Sequence, residues 1–121
     1  MAAANYRHID PSLLKAIAIQ ESGLNLWAVN RNNANGSVDH GPFQINSSWL
    51  PKLKKHGITV GQLYDPCISA YVAAWILADS INRHGATWRA VGAYNSPTES
   101  NQRNYARTIR QHYTRLLNSQ R

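Results

Sequence analysis

Cysteine and long apolar runs are nearly absent from this sequence. Of its 121 residues only Cys67 is a cysteine, so the chain cannot form an internal disulfide framework, and no metal-binding spacing surrounds it. No apolar stretch approaches the ~20 residues that a membrane-spanning helix requires. We therefore expect no membrane span, no metal and no other cofactor.

Acidic residues are also scarce, since 6 Asp and Glu stand against 13 Lys and Arg and leave a formal net charge of +7. The imbalance is strongest at the end of the chain, where no acid follows Glu99. Such a charge attracts polyanions, which include nucleic acid, anionic lipid surfaces and acidic cell-wall polymers. A solvated basic helix face explains it equally well. The basic residues concerned are Arg103, Arg107, Arg110, Arg115 and Arg121.

The short signatures of nucleophilic, nucleotide-binding and metal chemistry are missing. No G-x-S-x-G, G-x-x-x-x-G-K or H-E-x-x-H motif occurs, and the five histidines are scattered singly. A catalytic thiol at Cys67 would need a histidine or asparagine partner, and none can be nominated. Paired carboxylates are the chemistry that remains.

What the sequence does contain is a set of helical patterns in a chain of single-domain size. Its length and 43% apolar content predict one domain, residues 1–121, around one hydrophobic core. Asp10-Pro11 and Asp65-Pro66 are helix-entry signals followed by apolar residues at helical spacing, and residues 48–55 predict a short helix. The Asn- and Gly-rich residues 30–37 predict turns with a short hairpin. We expect a mostly α (α+β) fold with a small irregular β element.

Two carboxylates stand in unusual surroundings. Glu21 falls in the last turn of the first predicted helix, among apolar neighbours, where the negative helix end disfavours a glutamate. Asp39 lies 18 residues later in the turn-rich stretch GSVDHGPFQINSSW, residues 36–49. Glycosidic bond cleavage needs a proton donor for the leaving oxygen and a group that stabilises positive charge on the sugar. Glu21 fits the donor and Asp39 the ionised partner. Alternatively, Glu21 caps the helix or pairs with an arginine, and Asp39 stabilises a turn.

Residues 20–50 resemble the active-site stretch of the lysozyme superfamily. AIAIQESGLN and the later AYNSP resemble goose-type lysozymes and bacterial lytic transglycosylases, whereas NGSVDHGPFQINSSW is similar to animal lysozymes. Together, IDPSLLKAIAIQES, YDPCISAYVAAWIL and AVGAYNSP resemble the small SLT-type transglycosylases that accompany type III and type IV secretion, conjugation and type IV pilus machines. The resemblance implies a lysozyme-like fold that cleaves the β-1,4 bond between N-acetylmuramic acid and N-acetylglucosamine in peptidoglycan.

The resemblance also implies roles for individual residues. It makes Glu21 the general acid and Ser22 a neighbour that holds the helix end at the substrate, and Asp39 stands where animal lysozymes have a second catalytic carboxylate. For Trp49, a packing role in the hydrophobic core is as good an interpretation as a sugar-binding role. The substrate-binding positions implied are Gln44 beside the cut sugar, Asn46 at Asp39 or an acetamido group, Trp49 on a sugar ring, and Tyr94 and Asn95 opposite Glu21.

The resemblance leaves the product open. Many transglycosylases of this superfamily have one catalytic carboxylate, and the 6-hydroxyl of muramic acid then attacks to give a 1,6-anhydro end. Asp39 adds a second carboxylate, with which water can hydrolyse the bond instead. We expect a lytic transglycosylase that opens the wall locally. The alternatives are a hydrolytic muramidase and a non-catalytic basic module of a secretion apparatus.

Location and partners are implied by the same resemblance. Relatives in these machines are exported, and a disulfide often ties their N-terminus to the helix after YDPC, where Cys67 stands. We therefore expect a periplasmic protein whose natural precursor carries a signal peptide and a second cysteine before residue 1. The expected partners are peptidoglycan glycan strands and components of a secretion, conjugation or pilus machine. No nucleic acid is expected, and the domain is expected to be a monomer.

Overall fold

The computed structural model describes residues 9–95 and 99–119, and helices dominate them. A small sheet and two 3-10 turns lie between the first and third helices, so the mostly α fold with a small β element is confirmed. The α-helices are α1 (Pro11–Ser22), α2 (Leu50–Lys55), α3 (Pro66–His84), α4 (Trp88–Asn95) and α5 (Glu99–Ser119). The strands are β1 (Val29–Asn30), β2 (Asp39–His40) and β3 (Ile45–Asn46), and the 3-10 turns are Ser47–Trp49 and Val60–Tyr64.

Both Asp-Pro pairs begin a helix, as predicted. The side chain of Asp10 accepts a hydrogen bond from a first-turn amide of α1 at 2.8 Å, and that of Asp65 accepts two from α3 at 2.9 Å. The proline that follows each of them needs no N–H at that position. At the other end of α1, Gly23 has a φ of 63°, so its N–H bonds back to carbonyls of the last turn.

The sheet is antiparallel with the order β1-β2-β3. Residues 31–38 join β1 to β2, which confirms the hairpin predicted from the Asn- and Gly-rich stretch. Asn30 pairs with Asp39, and Asp39 pairs with Asn46. Because paired residues of adjacent strands project from the same face, the three side chains lie side by side.

The short helix predicted at residues 48–55 forms in two parts. The Ser47–Trp49 segment is a 3-10 turn, and α2 starts only at Leu50. Asn46 caps the turn by accepting a hydrogen bond from the Ser48 amide at 3.0 Å. The tighter turn brings the chain directly from β3 into α2.

The hydrophobic core holds the end of α1 in place. The α5 helix packs on α1 and α4, and α4 also packs on α3. Side chains from the sheet, α2 and the second 3-10 turn complete the core. The largest apolar side chains that are fully buried are Leu14, Ile17, Ile45, Leu53, Leu63, Leu77 and Ile109.

None of the helices within residues 9–95 and 99–119 combines the length and the apolar character that crossing a membrane requires.

Gly92 lies where α4 meets α5. A Cβ at this position would overlap the carbonyl group of Gln102. We expect Gly92→Ala to lower the free energy of unfolding by about 1–3 kcal/mol in urea denaturation, because the two helices must separate. Gly61→Ala is the matched control, since a Cβ there meets only the Thr59 hydroxyl at 4.0 Å. Equal losses in the two variants would contradict this close packing.

Candidate active site

An open cleft of about 1030 Å³ runs beside the sheet, between the end of α1 and parts of α3 and α4. This is the size of a site for an extended ligand, since typical small-molecule pockets occupy about 300–1,000 Å³. Residues that the sequence analysis singled out line it together: Glu21, Asp39, Gln44, Asn46, Trp49 and Tyr94. The other lining residues are Asn30, Asn33, Ala34, Asn35, Ser37, Ile45, Ser48, Ile76 and Ala93.

Glu21 reaches the cleft from the last turn of α1, where it is half-buried. The next residue, Ser22, donates its hydroxyl to the Pro42 carbonyl at 2.7 Å and to the Ala18 carbonyl at 3.2 Å. The first of these bonds ties the helix end to the loop before β3. Ser22 is not among the residues that line the cleft, so in this structure it positions Glu21, and its contact with substrate stays a prediction.

The hydroxyl of Tyr94 is close to both carboxylates. It donates to the Phe43 carbonyl at 3.2 Å, which fixes the ring of this α4 residue against the loop before β3. Burial raises the pKa of Tyr94 well above its usual value of 10, and the negative charges of Glu21 and Asp39 raise it further. Tyr94 therefore stays a neutral hydroxyl that shares the cleft with the two carboxylates. Asn95 is the last residue of α4, and its side chain lies outside the described part of the structure, as do residues 96–98.

A second tyrosine, Tyr105 of α5, approaches Glu21 from the core. Its side chain is buried, and burial raises the pKa of Tyr105 far above its usual value. The charge of Glu21 raises this pKa further, followed by the neighbouring Tyr94 and by hydrogen bonding to Glu21. Among the described residues, however, the hydroxyl has no hydrogen-bond partner of standard geometry. Proximity to the Glu21 carboxyl, rather than a fully formed hydrogen bond, therefore links the two side chains here.

The carboxylate of Asp39 is the centre of an amide cluster. Asn30 and Asn33 donate to its Oδ2 at 3.0 and 3.1 Å, and Asn46 donates to its Oδ1 at 2.8 Å. Ser37 closes the cluster by accepting from Asn46 at 2.9 Å and, through its carbonyl, from Asn33 at 3.1 Å. Asp39 thus orders the β1–β2 turn and also faces the cleft, so both interpretations of this residue from sequence have a basis in the structure.

Gln44 has an unusual backbone conformation for a residue with a side chain, with a φ of 51°. Such a conformation costs about 1–3 kcal/mol and persists only where the surroundings impose it. Its Nε2 donates to the Ala28 and Gly41 carbonyls at 3.1 and 2.8 Å. These bonds hold Gln44 at the cleft and join the segment before β1 to the loop before β3.

Comparison with known proteins gives the family. The model of the transglycosylase SLT domain matches residues 1–116. The chain belongs to the SLT domain family.

Curated relatives cover most of this SLT domain. Invasion protein IagB of Salmonella typhimurium (strain SL1344) is 46% identical over 114 residues, which are 90% of this chain and 71% of the relative. Protein IpgF of Shigella sonnei is 44% identical over 114 residues, 90% of this chain and 74% of the relative. The peptidoglycan-binding-like protein of Escherichia coli O157:H7 is 36% identical over 119 residues, 89% of this chain and 71% of the relative.

Trp49 of this SLT domain lines the cleft but is also packed. Its ring meets the edge of Trp75 at 5.6 Å between ring centroids, and Lys52 Nζ lies 5.3 Å from the Trp49 centroid. The residue is half-buried. A cleft role and a core role therefore coincide here, and stacking on a sugar ring stays a prediction.

Parts of the SLT-domain site could not be predicted from the sequence. Asn30 and Asn33 were included only in a turn-forming stretch, although both line the cleft and hold Asp39. Tyr105 was not among the predicted site residues. The sequence around Asn30 and Asn33 does not distinguish an asparagine that binds a carboxylate from one that only forms a turn. For Asn30, the pairing of β1 with β2 makes the distinction, because it places Asn30 beside Asp39.

Proposed function

We propose that this SLT domain cleaves the β-1,4 bond between N-acetylmuramic acid and N-acetylglucosamine in peptidoglycan as a lytic transglycosylase. The observation that carries the proposal is the shared cleft, where a half-buried Glu21 at a helix end, Asp39 and a neutral Tyr94 hydroxyl meet. Membership of the SLT family supports a peptidoglycan substrate. The name of one relative, a peptidoglycan-binding-like protein, agrees with it.

In the proposed mechanism Glu21 acts first as an acid and then as a base. It protonates the bridging oxygen as the bond from this oxygen to C1 of the muramic acid breaks. The deprotonated carboxylate then accepts the proton of the muramic acid 6-hydroxyl, and the 6-oxygen bonds to C1 to close the 1,6-anhydro ring. The proton returns to Glu21, so the enzyme is restored and no water is consumed.

Asp39 favours a second candidate, a hydrolytic muramidase. In the proposed transglycosylase Asp39 steadies the positive charge that develops at C1, and the amide cluster fixes the direction of its carboxylate. The same carboxylate is placed to assist attack by water instead. Both reactions use Glu21 as the acid, so they differ only in what attacks C1.

Mass spectrometry of the muropeptides released from purified peptidoglycan in ¹⁸O-labelled water separates the two reactions. We expect 1,6-anhydromuramic ends without ¹⁸O, because the attacking oxygen comes from the sugar itself. Reducing ends that carry one ¹⁸O would contradict the transglycosylase reaction and support the hydrolytic muramidase. A preparation that releases no muropeptides would contradict both.

Replacing Tyr105 by Phe tests whether this neighbour of Glu21 affects the rate of cleavage and its pH dependence. We expect cleavage to slow about tenfold, which corresponds to ~1.4 kcal/mol of barrier. The pH–rate profile should also change, because the Glu21 carboxyl loses a polar neighbour. The free energy of unfolding should change by less than about 1 kcal/mol, since the deleted hydroxyl makes no well-formed hydrogen bond.

The matched control is Tyr113→Phe, in the same helix. The Tyr113 hydroxyl donates to Asp10 at 2.6 Å, where it joins α5 to the start of α1. This variant should lose stability and keep the pH–rate profile of the wild type. An unchanged profile in Tyr105→Phe would remove Tyr105 from the site.

We further propose that the domain works in the periplasm and opens the wall for a secretion, conjugation or pilus machine. The name of the invasion protein among its relatives supports a role in such a machine. Cell fractionation tests the location, and a protein retained in the cytoplasm would contradict it.

A further inference from the structure

Two adjoining grooves on α4 and α5 form a basic surface outside the cleft. The first has a volume of about 430 Å³ and lies between the two helices. The second, of about 490 Å³, continues along α5 and shares Arg107 and Arg110 with the first. None of the residues that line them lines the cleft. We call this surface the arginine face; its arginines are Arg89, Arg103, Arg107, Arg110 and Arg115.

Three arginines of the arginine face carry charge that no described acidic side chain neutralises. Arg107, Arg110 and Arg115 are exposed, and no described acidic side chain forms a salt bridge with any of them; the salt bridge found in that part of the chain is Arg83–Asp79. Like charges three and four residues apart repel each other along a helix. Binding of an anion would relieve this repulsion.

The guanidinium groups are partly held in place. Arg110 lies over the ring of Trp88 at 5.8 Å from its centroid, and Trp88 in turn packs against the edge of Tyr113 at 6.0 Å. A held guanidinium loses less entropy when it binds a carboxylate, and its planar fork matches the two carboxylate oxygens. These features favour a carboxylate ligand.

The spacing along α5 indicates the shape of the ligand. Arg103, Arg107 and Arg110 follow each other at intervals of four and three residues, and Arg115 follows five residues later, where it lines the second groove. At 1.5 Å per residue the series extends roughly 18 Å along the helix. An acidic helix of about a dozen residues, with Glu or Asp at every third or fourth position, presents carboxylates over the same length.

Other polyanions fit the arginine face less well. Single-stranded nucleic acid is bound on free aromatic faces, whereas Trp88, the aromatic residue that lines the grooves, is covered by Arg110. A membrane-binding helix inserts large apolar side chains beside its basic residues, and Ala106 is the apolar side chain that the grooves offer besides Trp88. We therefore propose that the arginine face binds an acidic helical segment of a protein partner.

The test uses a fluorescein-labelled 14-residue peptide with Glu at every third or fourth position and Ala elsewhere, and its Gln counterpart as the uncharged control. Fluorescence anisotropy should show binding of the Glu peptide that weakens with salt, and no binding of the Gln peptide. The double variant Arg107→Gln/Arg110→Gln should bind about tenfold more weakly, as expected for two lost exposed ion pairs.

The control is the double variant Lys54→Gln/Lys55→Gln, which removes the same two positive charges from another part of the surface. Both lysines are exposed on α2 and line neither groove, so this variant should bind the Glu peptide like the wild type. Equal weakening in both double variants would overturn the site, since it would mean that net charge alone acts. Tighter binding of a single-stranded oligonucleotide or of phosphatidylglycerol vesicles than of the peptide would overturn the choice of ligand.

The inference is independent of the proposed catalysis. Glu21→Gln should bind the Glu peptide with unchanged affinity, because Glu21 lies in the cleft. The arginine variant should in turn cleave peptidoglycan like the wild type. Failure of peptide binding with cleavage intact would refute the arginine face alone.

Discussion

Glu21→Gln should lose peptidoglycan cleavage by about a thousandfold while the protein stays folded. The change keeps the shape of the side chain and removes the proton that the bridging oxygen must receive. General acid catalysis contributes about 10²–10⁴-fold to such a reaction, and here the same group also serves as the base. Stability should hold or rise by up to about 1 kcal/mol, because a negative charge at the end of α1 is removed. Release of soluble muropeptides and thermal unfolding measure the two effects.

Glu21→Asp is the informative companion. It keeps a carboxyl but withdraws it by one methylene, so a small residual activity above that of Glu21→Gln is expected. If Glu21→Gln retained more than a tenth of wild-type cleavage, Glu21 could not be the acid, and the proposed mechanism would fail with it.

Asp39→Asn has the second largest expected effect, on both stability and rate. The new amide nitrogen must face Asn46 on one side or Asn30 and Asn33 on the other, all of which donate. A half-buried donor that faces another donor costs about 1 kcal/mol or somewhat more, so the free energy of unfolding should fall by that amount. Cleavage should fall about a hundredfold, because the charge that steadies the sugar cation is lost.

Asn33→Ala separates these two effects. It removes one donor to Asp39 and leaves the carboxylate, so a loss of ~1 kcal/mol in stability and a small loss of rate are expected. If the loss of cleavage rate followed the loss of unfolding free energy in both Asp39→Asn and Asn33→Ala, Asp39 would act only by ordering the turn. If Asp39→Asn unfolded like the wild type, the amide cluster would not stabilise the fold.

Much of the scaffold was predictable because its signals are local. Asp10 and Asp65 with their prolines mark helix starts that depend on neighbouring residues alone, and Gly23 marks the end of α1 in the same way. The position of Glu21 follows from these boundaries. Local signals therefore suffice to place Glu21 in the last turn of a buried helix, as the structure confirms.

The details of the site depend on contacts between distant parts of the chain. Tyr105 lies 84 residues after Glu21 in the sequence, and the packing of α5 on α1 brings it to the carboxyl. Asn30 reaches Asp39 through strand register, which a one-residue shift would destroy. The hydroxyl of Ser22 donates to the Pro42 carbonyl, 20 residues away in the sequence, and this contact too has no local signal.

The central claim is that the side chain at position 21 delivers a proton to a sugar–sugar oxygen held in the cleft. The most direct measurement is a crystal structure of the Glu21→Gln variant with a bound oligosaccharide of alternating N-acetylglucosamine and N-acetylmuramic acid. We expect the bridging oxygen within about 3 Å of the side-chain amide at position 21, with C1 of the muramic acid facing Asp39. A ligand bound along the cleft with every glycosidic oxygen beyond reach of that side chain would contradict the claim.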